Sequence, residues 1–456
     1  MPLPVGPGTP IADTRSATPL PPIAPMDDSL PLVHDKPSAS ACVVAQVHDV
    51  LEGRRRGWRV LAPLMGPAIV VSVAYTDPGN IATGIQAGAG YGYQLLWVVV
   101  AANVVAMLFQ ALSARLGIVT GQNLAQLCRA HLPAPAALAM WLISELAAMA
   151  TDLAEFVGAA VGIALLTGMP LLHAMVVAGV ATYLLLTLQA RGFRSVELLI
   201  GALVGVIGIS YIIQVWMLPI AWGAALRQAV MPSAMPPDAL MLAAGIVGAT
   251  VMPHALFLHS GLTDTRVRPR SARETAQLVR YSNVEVVVAL AVAGCINLAM
   301  VLVAASAFHD AHADVASIET AYVTLMPLFG AAAAVVFVVG LIASGLSSSV
   351  VGTLAGQIVL QGFLHVRIPV WLRRLITMVP AFIVIGAGVD ATRALVLSQV
   401  VLSMAVPFPM AALVWLTGRP DVMGPHVAGR GVVVLTTVAT VLVTALNAVV
   451  VINSVF

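Results

Sequence analysis

Two short stretches of this chain carry residue types that could hold a cation. The first, Asp77-Pro78-Gly79-Asn80, lies inside an apolar run from Ala68 to about Ala89. Pro78 has no N–H and its ring clashes with the preceding turn, while Gly79 adds backbone freedom. Together they unwind a helix and leave carbonyls such as that of Ala74 without donors. In hydrocarbon such groups are tolerated only facing protein or lining a cavity, and a carboxylate there is expensive. A broken helix with a buried acid therefore reads as a cation site. The second stretch, Gly248-Ala249-Thr250-Val251-Met252-Pro253-His254, repeats the break about 175 residues later.

The donors differ in kind. Asp77 offers a negative hard oxygen, Asn80 an amide oxygen, Ala74 and Ala249 unwound carbonyls, and Met252 a thioether. Gln399 offers a further amide oxygen. One negative charge with mixed oxygen and sulfur suits a divalent transition ion, and the soft sulfur tilts the choice from magnesium and calcium towards manganese and iron. With 19 methionines in the chain, a membrane methionine is usually filler; Met252 differs because Pro253 breaks the helix beside it. Asn80 also suits a helix cap, a role compatible with binding.

Glu145, Asp152 and Glu155 form a second constellation. Offsets of seven and three put them on one helical face. Such a row marks a proton path or a set of static ion pairs with Arg373 and Arg374; pairing does not preclude proton transfer. Pro369 at a first turn places both arginines inside a helix. His254, beside the second break, is a candidate proton group because imidazole changes charge near neutral pH. The Met-Pro-His order turns its side chain away from Met252. His259 reads as a neutral hydrogen-bonded histidine. The dense glycines Gly84, Gly88, Gly90 and Gly92 miss the dinucleotide spacing and read as a tight turn in a loop.

These residues need elements that span a bilayer. The chain has 456 residues, 60% hydrophobic and 9% charged, far from the quarter or so charged in soluble domains. Nucleic-acid binding has no support. Cys42, Cys128 and Cys295 show no metal or redox spacing. Residues 1–58 are Pro-rich and polar, which reads as a disordered cytoplasmic tail ending in the basic cluster Arg54-Arg55-Arg56-Gly57-Trp58-Arg59. Residues 59–456 form the membrane domain. Apolar runs long enough to span lie near 62–89, 94–117, 134–167, 170–190, 196–222, 239–261, 284–308, 324–364, 369–388, 391–416 and 431–454.

Arginines populate alternate loops: Arg115 and Arg129, Arg191 and Arg194, Arg266 to Arg280, Arg367, then Arg419 and Arg430. The intervening loops, such as Ala87–Tyr93 and Asp310–Glu319, are neutral or acidic. This alternation predicts eleven transmembrane helices with the N-terminus cytoplasmic and the C-terminus outside. Five spans separate the breaks, and an odd number per half inverts the second half. The expectation is an all-α polytopic protein, a 5+5 inverted repeat plus one helix, with discontinuous helices 1 and 6 meeting at mid-depth.

At these residues the chain resembles the NRAMP family of divalent metal transporters. The likeness rests on Ala74-Tyr75-Thr76-Asp77-Pro78-Gly79-Asn80 and Gly248 to His254. It extends through Asp152-Leu153-Ala154-Glu155 and Gly352-Thr353-Leu354-Ala355-Gly356-Gln357, over about residues 60–456. The resemblance implies a LeuT-like fold and alternating access. It implies metal held by Asp77, Asn80, the Ala249 carbonyl and Met252, joined in some conformations by the Ala74 carbonyl and Gln399. It further implies proton passage through Asp77, Asp152 and Glu155, with His254 and Glu145 nearby and Arg373 and Arg374 as partners. Ala255 and Leu346 depart from the family pattern without touching these donors.

The expected function is import of manganese(II) or iron(II) coupled to protons, by a monomer in the bacterial inner membrane with no cofactor. The competing reading is a sodium- or proton-coupled amino-acid symporter of the same architecture, but Asp77 would repel a substrate carboxylate. A membrane enzyme or metal sensor would need a soluble domain, and the tail is too polar for one.

Overall fold

Peptide groups in hydrocarbon must satisfy one another, and every regular element among the described residues is helical. The structure is a computed structural model and describes residues 46–47, 49–50, 54, 66–189, 193–264, 266–309, 317–366 and 368–455. The helices are α1 (Pro67–Ala74), α2 (Pro78–Tyr91), α3 (Leu96–Thr120), α4 (Leu124–His131), α5 (Ala134–Thr167), α6 (Leu171–Gln189), α7 (Phe193–Met217), α8 (Trp222–Val230), α9 (Ala239–Val251) and α10 (Pro253–Thr263). The chain continues with α11 (Ala272–Phe308), α12 (Ile318–Phe329), α13 (Ala331–Leu364), α14 (Val370–Gly386), α15 (Ala391–Ala405), α16 (Pro407–Thr417), α17 (Pro420–Met423) and α18 (Arg430–Val455).

The expected apolar runs coincide with helices wherever they are described. Seven windows are long and apolar enough to cross a membrane, with α9–α10 and α15–α16 each taken as one run. Two shorter apolar stretches lie in α6 and α7. Of the α9–α10 window 89% is buried, against 28% for α18, so the second broken helix is central and the last helix peripheral.

Both expected breaks are present, at Tyr75–Asp77 and at Met252. Several expectations need correction. The run 391–416 is also broken, between Ala405 and Pro407. The run 324–364 is two helices, α12 and α13, joined at Gly330, whose φ of 86° suits glycine. Helix α11 begins at Ala272, well before the expected 284. The glycines read as a loop turn are helical: Gly84, Gly88 and Gly90 lie in α2, and only Gly92, with φ 56°, ends it. The rest of the basic cluster after Arg54, together with Arg191, Arg367 and Asp310, lies outside the described residues.

Small residues let the helices approach closely, as in membrane bundles. A Cβ on Gly88 would lie 2.6 Å from the Val301 carbonyl and the Ala305 nitrogen, so α2 packs on the backbone of α11. One on Gly345 would lie 2.7 Å from the Glu155 carbonyl, so α13 packs on α5. One on Gly158 would lie 2.1 Å from the Pro78 ring, which sets α5 against the first break.

Candidate functional site

Pro78 and Pro253 do the same thing to the backbone. Each removes the N–H that the carbonyl four residues earlier would accept in an α-helix; those carbonyls belong to Ala74 and Ala249. Asp77 then caps α2: its Oδ1 accepts from the Asn80 backbone N–H at 2.9 Å and from Asn80 Nδ2 at 2.7 Å. The same Asn80 Nδ2 donates to the Ala249 carbonyl at 3.0 Å. Asn80 thus ties the acid at one break to the orphaned carbonyl at the other. Met252, fully buried, forms the joint between α9 and α10.

Helix α15 lies against both breaks. A Cβ on Gly79 would fall 1.9 Å from Gln399 Nε2 and 2.9 Å from Asp77 Oδ2. One on Gly248 would fall 2.1 Å from the Gln399 carbonyl. Asp77 Oδ2 and Gln399 Oε1 are both buried without a hydrogen-bond donor. Buried oxygens of that kind are satisfied by a donor or by a cation. Among the described residues no group of three or more His, Cys, Asp and Glu is placed to hold a metal. The donors at the breaks are a carboxylate, amides, carbonyls and a thioether.

The second constellation divides into paired and unpaired acids. Arg374 donates to Asp152 at 2.6 Å and also to the Ser349 hydroxyl. Arg373 pairs with Glu145 at 3.0 Å. Glu155 is fully buried and neither of its oxygens has a partner. All three groups face glycines of α13. A Cβ on Gly352 would meet Glu155 Oε2 at 2.8 Å and Asp152 Oδ1 at 3.2 Å, and one on Gly356 would meet the Arg373 guanidinium. Glu155 is one turn of α5 from Gly158, which touches Pro78. His254 Nδ1 lies 3.1 Å from Thr151 Oγ1, and its Nε2 is buried without a partner.

A model of the family described as natural resistance-associated macrophage protein-like matches residues 68–453. The chain belongs to the NRAMP family. It is 59% identical to a divalent metal cation transporter MntH of Verminephrobacter eiseniae over 94% of this chain and 98% of that one. It is 57% identical to an MntH of Acidiphilium cryptum over 90% and 94%. Among solved structures, a manganese transporter of Eremococcus coleocola is similar with a TM-score of 0.77, 33% identity and 86% of each chain covered. Mhp1, a nucleobase-cation-symport-1 transporter, is similar at a TM-score of 0.60 and 15% identity, a likeness of fold alone. The expected LeuT-like NRAMP fold stands, and these relatives are named as transporters rather than enzymes.

This NRAMP chain also carries polar links that its motifs do not mark. Tyr75, in the unwound segment, accepts from Gln110 Nε2 at 2.8 Å, and His259 Nδ1 donates to Gln110 Oε1 at 2.9 Å. The Ser344 hydroxyl donates to the Thr76 carbonyl at 2.5 Å. At the third break, Pro407 deprives the Ser403 carbonyl of its α-helical donor; Asn447 of α18 donates to it at 2.6 Å, beside the Val406 N–H at 3.3 Å. Gln110 shares its apolar run with Asn103, so the sequence offers two amides there and nothing that singles out the one bonded to Tyr75. The contacts of Ser344 and Asn447 had no local signal. Ser347, Ser348 and Thr353 bond back to carbonyls of α13, whereas Ser349 between them accepts from Arg374.

Proposed function

We propose that the chain imports manganese(II) and iron(II), coupled to protons, by alternating access between the two faces of a bacterial inner membrane. Asp77, Asn80, the Ala249 carbonyl and Met252 hold the ion; the Ala74 carbonyl and Gln399 join them in some conformations. The observation that carries this reading is the Asn80 amide, which draws the Asp77 carboxylate and the Ala249 carbonyl to one point beside Met252. A single carboxylate neutralises half of a doubly charged ion, which suits a site that must also release it. The thioether discriminates against calcium and magnesium.

Protons travel by the acids of α5. Glu155, unpaired and one turn from the first break, takes the proton, with Asp77 and Asp152 on the same path. Glu145, Arg373, Arg374 and His254 flank it. We further read eleven spans, a cytoplasmic N-terminus with a tail to about residue 58, an outside C-terminus, and a working monomer. The likeness to transporters named for divalent metals and for manganese supports the substrate class.

The test is the purified chain in sealed vesicles under a proton gradient, with internal dyes for manganese and calcium. Manganese enters and calcium does not, and Asp77→Ala abolishes entry. Met252→Ala lets calcium compete; unchanged selectivity in that variant would remove the sulfur from the mechanism.

A further inference from the structure

The end of α1 remote from the break is held by a residue outside every motif. The first N–H groups of a helix have no partner within it. Gly66, at the cap position of α1, has no side chain to offer, and Pro67 has no N–H. Glu285 of α11 does the capping from more than 200 residues away. Its Oε1 accepts from the Gly66 N–H at 2.6 Å and from the Ala68 N–H at 3.1 Å. A carboxylate at a helix N-terminus is favourable for its charge as well as its hydrogen bonds. Glu285 is 5% exposed, so these contacts are shielded from bulk water.

Three further facts make this contact a clamp rather than a passive cap. Helix α1 is only eight residues long and is separated from α2 by the unwound Tyr75–Asp77, so it can hinge there. Asp77, Met252 and Gln399 are fully buried, so an ion leaves only if an element moves. A cavity of about 40 Å³ adjoins the contact, lined by Pro67, Thr263, Arg266, Ser282 and Glu285 among others. That is room for water, and the Ser282 hydroxyl there is buried without a partner. Water in that cavity can take over the N–H groups of α1 when Glu285 lets go.

We infer that Glu285 is a positioning residue that clamps α1 to α11, and that releasing this clamp opens the ion site on the face where the chain enters the membrane. The inference rests on the alternating-access reading above.

Two readouts test it, neither of which requires transport. The first is amide hydrogen exchange across residues 66–74 of the full chain in lipid nanodiscs. Glu285→Ala speeds exchange there by about tenfold or more, the scale of losing hydrogen bonds to a charged group, while residues 78–91 are unchanged. Glu285→Gln, whose amide oxygen still accepts, gives an intermediate increase and carries the test if the alanine variant does not assemble. The second readout uses Val73→Cys in a chain with Cys42→Ser, Cys128→Ala and Cys295→Ser. The variant is reconstituted in sealed vesicles, and an impermeant maleimide is added on the face bearing the N-terminus. Adding Glu285→Ala, or Glu285→Gln, raises the labelling rate several-fold. Unchanged exchange in 66–74, an equal rise throughout the chain, or unchanged labelling each overturns the clamp. Failure of the unsubstituted chain to take up manganese overturns the proposed function instead, and is read separately.

Discussion

Asp152 and Glu155 sit one helical turn apart and face opposite consequences if altered. Asp152 is buried with a guanidinium at 2.6 Å, whereas Glu155 is buried with neither oxygen partnered. Removing one member of a buried pair strands the other, at a cost of about 3–5 kcal/mol. Arg374→Met is therefore expected to destabilise the chain by about that amount, and Arg374→Met with Asp152→Leu to recover most of it. Thermal unfolding of the single and double variants measures this; equal losses in both would mean that the pair contributes nothing beyond packing. Glu155→Gln strands no charge. It is expected to unfold within about 1 kcal/mol of the parent chain while losing metal-driven proton entry, read as internal acidification of vesicles during manganese uptake. The spacing in sequence displayed the common face of Glu145, Asp152 and Glu155. It could not say which acid is paired, because the arginines come from α14, more than 200 residues on.

At the scale of elements, the breaks depend on glycines that let α15 lie across them, and the two glycines differ in what they meet. A methyl group on Gly79 meets the end of the Gln399 side chain, which can swing away. One on Gly248 meets the Gln399 carbonyl at 2.1 Å and the Ser403 nitrogen at 2.5 Å, both backbone. Gly79→Ala is thus expected to keep its melting temperature within a few degrees while raising the manganese concentration for half-maximal uptake, since the methyl crowds both the Gln399 amide and Asp77 Oδ2. Gly248→Ala is expected to lose about 1–3 kcal/mol or more by overpacking and to lose transport with it. Melting curves and uptake titrations of the two variants separate these outcomes; similar melting temperatures would show that α15 yields as easily as a side chain. The first two breaks were legible because proline names its own orphan, the carbonyl four residues before it. The third was missed because hydropathy reads 391–416 as one run, although Pro407 and Pro409 stand inside it. What no local pattern reveals is how each orphan is treated. Asn80 reaches the Ala249 carbonyl across 169 residues, and Asn447 reaches the Ser403 carbonyl across 44. The first joins two candidate donors, while the second merely seals a kink.

For the whole molecule, the proposed coupling fixes how uptake depends on voltage. Each elementary charge carried across 100 mV is worth about 2.3 kcal/mol. A manganese(II) ion alone moves two charges, about 4.6 kcal/mol, or roughly three decades of accumulation per 100 mV. If each ion brings one proton by way of Glu155, three charges move, about 6.9 kcal/mol and roughly five decades. The slope of accumulation against potential therefore counts the charges without any knowledge of the route. In vesicles with equal pH on both sides and a potassium-diffusion potential set in steps, the parent chain is expected to show a slope above the two-charge line. Glu155→Gln, where it still transports, is expected to fall back onto that line, because the metal then crosses without its companion. A two-charge slope in the parent chain would uncouple the acids of α5 from transport, even with every ion pair and both breaks intact.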